Sequence, residues 1–111
     1  MVQIEYFKKS LQDAMVYADR SYDYFKDENI DTFIAISYLQ VAVSKFSMCE
    51  LYYHSNLEIL EDVAITKLFD LFNQYVFSSL HNAKTNKKHW DSAEYRRLRN
   101  SFDSSKCAFD N

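Results

Sequence analysis

The sequence predicts an all-α chain, an antiparallel helical bundle of three long helices and one shorter C-terminal helix. Three observations predict it. The 111 residues contain no glycine and no proline. Apolar residues recur at intervals of three and four over long stretches. The polar clusters that interrupt this periodicity are short, as bundle connections are. One packed domain is expected over 1–104, with 105–111 a frayed tail.

In the first helix Ile4, Phe7, Leu11, Ala14, Met15, Ala18, Tyr22 and Phe25 form one apolar stripe. Asp27-Glu28-Asn29 ends it, and Asp31 is the expected N-cap of the second helix. The second helix is apolar on two sides. Phe33, Ile36, Leu39, Val43 and Phe46 mark one; Ile34, Tyr38, Val41, Met48 and Tyr52 mark the other. Such a helix should be the most buried of the set, or one that also contacts a partner.

Ser55-Asn56-Leu57-Glu58 has the form of a capping box, so the third helix is expected to start there. Its apolar positions are Leu57, Leu60, Ala64, Leu68, Leu71 and Tyr75, flanked by Ile65, Phe72, Val76 and Leu80. Residues 84–89 read as a loop. Asp91-Ser92-Ala93-Glu94 then offers a second capping box, with Trp90 and Tyr95 at staple spacing, before a helix through Leu98 and Phe102. The stretch from Tyr24 to Phe33 resembles the turn of a tetratricopeptide-type repeat, without its usual glycine. It occurs once, and implies an α-hairpin.

Composition excludes more than it assigns. Average usage would give roughly eight glycines and about five or six prolines. Without glycine, the phosphate-cradling loop, the dinucleotide fingerprint, the nucleophile elbow and the calcium loop cannot take their usual forms. No long unbroken apolar run suggests a membrane span, and the N-terminus lacks a secretory apolar block, so a cytoplasmic protein is expected. Cys49 and Cys107 fit no metal spacing and are expected to be free thiols. The bias towards Asn, Lys, Tyr, Phe, Ile and Asp suits an AT-rich genome, such as that of a phage or other mobile element.

Catalytic and metal patterns are missing too. The Arg-to-His spacing of HEPN ribonucleases is absent after both Arg20 and Arg99. Glu50 and His54 are four apart, with no second such pair, which does not make a di-iron site. Cys49 and His54 point to different helix faces, so neither activates the other. No cofactor, metal or catalytic residue is expected, and the chain is read as non-catalytic.

Two positive signals remain. Residues 1–83 carry six Lys and Arg against twelve Asp and Glu, whereas 84–106 carry seven against three. Lys84, Lys87, Lys88, Arg96, Arg97 and Arg99 could therefore meet phosphates or an acidic partner, with Trp90 and Tyr95 available for stacking. The alternative for this segment is an ordinary solvated face. The nine Tyr and nine Phe exceed what one small core holds, so some are expected at the surface, either as ordinary boundary tyrosines with hydroxyls in water or at an interface. Phe33, Ile34, Tyr38, Val41, Met48, Tyr52 and Tyr53 are the candidates. The favoured reading is a small protein-binding regulator or inhibitor, a homodimer or heterologous complex. The rival is a nucleic-acid-associated protein using 84–99.

Overall fold

The computed structural model describes residues 4–26, 32–84 and 92–109, and among these every regular element is a helix. They are α1 (Ile4–Phe25), α2 (Thr32–Ser55), the single turn α3 (Leu57–Leu60), α4 (Val63–Lys84) and α5 (Ala93–Asp103). The main packing is α1 on α2 and α4 on α5, with α2 also meeting α4. Side chains of α5 and the segment after it close onto α1.

The α1 stripe is where periodicity places it: Phe7, Leu11, Ala14, Met15, Ala18, Tyr22 and Phe25 are buried, and only Ile4 is exposed. Asp31, the 27–29 break, the loop residues 85–89 and Trp90 lie outside the described residues.

Helix α2 departs from expectation. It buries the single stripe Ala35, Leu39, Ala42, Phe46, Cys49 and Tyr53, spaced four and three as a coiled-coil seam is. Phe33 and Val43, which share one of the two apolar faces with Leu39 and Phe46 in the sequence, are exposed. It is therefore not the most buried helix; α1 buries eight residues in a shorter length. Among the described residues, α2 is also the one helix long and apolar enough, by length and composition, to cross a membrane. Unbroken apolar runs missed this, because its interruptions are mostly serine and glutamine and not charge.

The corner after α2 is built differently from the expected Ser55 box. Ser55 is the last residue of α2, and Asn56 precedes α3 with no side-chain cap bond. Asp62 begins the next long helix instead: its Oδ1 accepts from the Ala64 amide at 2.9 Å. Tyr53 fixes the corner. Its hydroxyl accepts from the Asp62 amide at 3.0 Å and shares a hydrogen bond with Thr66 Oγ1 at 2.8 Å. Because α4 starts at Val63, its inward phase is Ile65, Leu68, Phe69, Phe72 and Tyr75, while Ala64 and Leu71 are only half-buried.

Helix α5 starts one residue later than the Asp91 box implies. Ser92 is the N-cap, with Oγ accepting from the Tyr95 amide at 3.0 Å. The chain after Ser104, expected to fray, turns back onto the body. Cys107 is buried, and Phe109 packs against Phe102 at 5.0 Å between ring centroids. Gln12 Nε2 donates to the Cys107 and Ala108 carbonyls at 3.2 Å. Local sequence gave no sign of this, since the partner is on α1.

Candidate interaction surface

Successive residues of a helix advance by about 100°, so two seams can run along one helix back to back. The inner seam of α2 faces the core. Away from it, Ile34, Ser37, Val41, Ser44, Met48, Leu51 and Ser55 recur at three and four, a second coiled-coil spacing. None of these seven side chains is charged. Val41, Met48 and Leu51 are exposed, the latter two at 70% and 72%. Phe33, beside this seam, is 81% exposed. Burying such surface is favourable by about 25 cal/mol per Å².

A recess of about 460 Å³ opens beside the C-terminal half of this seam. Helix α1 contributes Tyr6, Phe7, Ser10 and Asp13, and α2 contributes Lys45, Met48, Leu51 and Tyr52 among others. Its walls are mostly apolar. Lys45 and Asp13 form a 2.7 Å ion pair at one margin.

The predicted interface residues separate on this surface. Phe33, Val41 and Met48 are exposed, and Ile34 is half-buried. Tyr38 and Tyr52 are half-buried at the α1–α2 boundary: Tyr38 stacks with Tyr24, and Tyr52 meets Tyr6 edge-on. Tyr53 does not belong with them. It is fully buried, and its hydroxyl is engaged at the α2–α4 corner. Leu51 and Tyr6 were missed, Leu51 because serines disguise the second seam and Tyr6 because only tertiary packing puts it there.

The basic segment is also divided. Arg99 pairs with Asp19 at 2.8 Å and with Asp103 at 3.5 Å, so its charge is met within the protein. Lys84, Arg96 and Arg97 are exposed; Lys87, Lys88 and Trp90 lie outside the described residues. Tyr95, considered for base stacking, instead stacks on Tyr22 with centroids 4.0 Å apart. Its hydroxyl donates to Asp19 at 2.5 Å.

Around Asp19, burial penalises the carboxylate more than the Tyr95 and Arg99 hydrogen bonds favour it, which raises its pKa above the usual carboxylate value. A raised carboxyl pKa means that the folded state holds more protons than the unfolded state across the interval between their two pKa values. The Asp19 contribution is therefore most favourable below the unfolded pKa and weakens as pH rises through the folded one. Asp19→Asn should remove that slope: the stability of wild type relative to the variant should fall as pH rises from about 3 towards neutrality. Urea unfolding over that pH range checks it, and parallel pH profiles would contradict it.

Burial raises both thiols, Cys49 and Cys107, to about 11, which leaves them poor nucleophiles near neutral pH. His54 stands 3.8 Å from Glu50 in an exposed pair. Among the described residues no group of three or more His, Cys, Asp or Glu is gathered as a metal site would need. No family model, no curated protein and no solved structure matches this chain.

Proposed function

We propose that the protein is a non-catalytic, cytoplasmic binding protein, a small regulator or inhibitor, that acts through the outward face of α2. One observation carries this reading: Ile34, Ser37, Val41, Ser44, Met48 and Leu51 form an uncharged seam facing away from the core. Water-exposed helix faces are ordinarily charged, whereas interface centres are depleted of charge and rich in Met and aromatics. The scaffold behind this surface is best read as an antiparallel bundle of α1, α2, α4 and α5. The short Asn56–Asp62 corner and the packing of α1 on α2 support that arrangement.

The rival role in nucleic-acid binding is not favoured by the placement of its residues. Arg99 is matched by two carboxylates and Tyr95 by Tyr22 and Asp19, which leaves fewer cations for phosphate.

The double substitution Met48→Glu/Leu51→Glu tests the reading, because both side chains lie largely outside the core. Protein association, read as sedimentation mass for self-association and as binding to a protein ligand, should weaken at least ~10-fold, about 1.4 kcal/mol. Helix content by circular dichroism should stay the same. Undiminished association in the double variant, or a wild-type chain that associates with no protein, would overturn the reading.

A further inference from the structure

The seam on α2 also specifies what covers it. We propose that α2 pairs with α2 of a second copy of this chain, antiparallel, about a two-fold axis passing midway between Val41 and Ser44. The inference rests on the interaction surface proposed above and names its partner.

The first argument is fit. An antiparallel two-fold sets residue i against residue j with a constant sum. Centred here, it opposes Ile34 with Leu51, Ser37 with Met48 and Val41 with Ser44. Each Met48 then meets a small side chain and each Ser44 meets a larger one, as interdigitating layers need. A parallel pairing would place serine on serine in three layers, at Ser37, Ser44 and Ser55, and leave voids there. The Ser37 hydroxyl already donates to the Phe33 carbonyl of its own helix at 2.9 Å, so burying it strands no donor.

The second argument is the recess. Ile34 and Tyr52 lie eighteen residues apart, five full turns, so they project in the same direction around α2. A two-fold of this kind preserves the lateral side of the helix. It brings Ile34 of one copy over the Tyr6, Met48 and Tyr52 recess of the other, and does so twice. The surface is thus self-complementary, the requirement for a closed symmetric dimer and not an open filament.

Charge along the seam itself does not oppose this occupant. The seam has no charged residue to repel its copy. A lipid surface is a poorer match, because the acidic excess of residues 1–83 opposes anionic headgroups, whereas membrane-surface helices are flanked by Lys and Arg.

Two chains, each with one introduced cysteine, test the pairing, Ser37→Cys and Met48→Cys. Native Cys49 and Cys107 are buried and should not interfere. Under mild oxidation neither chain alone should cross-link, because each new cysteine lies about 16 Å along the axis from its own copy. An equimolar mixture should give a covalent dimer. Wild type should sediment at twice the 13.2 kDa chain mass, and Ser44→Glu, on the exposed surface, should halve that mass with helix content retained. Efficient cross-linking of either chain alone, or a monomeric wild type, overturns the proposal. So does monomeric protein that floats with phosphatidylcholine vesicles unless Ser44 is changed. A monomer that still binds another protein through Met48 and Leu51 overturns the self-pairing only; a monomer that binds none overturns the broader reading as well.

Discussion

Phe72→Ala is expected to cost about 3–5 kcal/mol, the range for truncating a buried phenylalanine. Phe72 on α4 stacks against Phe46 on α2 with ring centroids 3.9 Å apart, and both rings are almost fully buried. Direct contact between α2 and α4 is limited compared with α1 on α2 or α4 on α5. This ring pair is one of the links between the two halves of the fold, beside the Tyr22–Tyr95 stack and the Arg99–Asp19 pair. Removing one ring takes away dispersion contacts on both sides and leaves a cavity that rigid helices cannot fully close. A domain of this size has about 5–15 kcal/mol of stability in all. At roughly 1–3 kcal/mol per molar urea, the unfolding midpoint should fall by about 2 M. Phe72→Leu, which keeps most of the volume, should fall well short of that. A drop below about 0.5 M for the alanine variant would show that the ring pair contributes little to stability.

Tyr53→Phe should cost about 1–3 kcal/mol although it removes a single oxygen. That oxygen accepts from the Asp62 amide and bonds Thr66, so its loss leaves the amide without its acceptor at the start of α4. The ring, stacked with Phe7 at 5.9 Å, stays in place. Faster amide exchange should therefore be confined to the corner around Asp62 and Thr66. A double-mutant cycle with Thr66→Val should give a coupling of about 0.5 kcal/mol or more. Additive losses would mean that the two hydroxyls do not act together.

These two residues show where sequence reasoning held and where it stopped. The α1 stripe was legible because its apolar residues share one helical phase and meet one core. The existence of α4 was legible too, but not its start. Ser55 and Glu58 formed a convincing local pattern, while the acceptor that decides the corner is a tyrosine hydroxyl on the preceding helix. A local capping signal lost to a tertiary hydrogen bond. On α2, apolar residues were visible on two sides, but hydrophobicity alone could not say which side faced in. The answer lay in the small residues: Ala35 and Ala42 let α2 approach the core closely, so Phe33 and Val43 are left outside. Tyr53 was grouped with surface aromatics for the same reason. The matching of Arg99 by Asp19 was invisible because the partners are 80 residues apart.

The return of the segment after Ser104 to Gln12 has a consequence during synthesis. The two carbonyls that Gln12 engages are made 95 and 96 residues after it. At about 5–20 residues per second, α1 waits roughly 5–20 s for them after Gln12 is translated. The α1–α2 hairpin, joined by local contacts, can form within that interval. The flank of α1 that later receives Tyr95, Arg99 and Cys107 stays uncovered meanwhile.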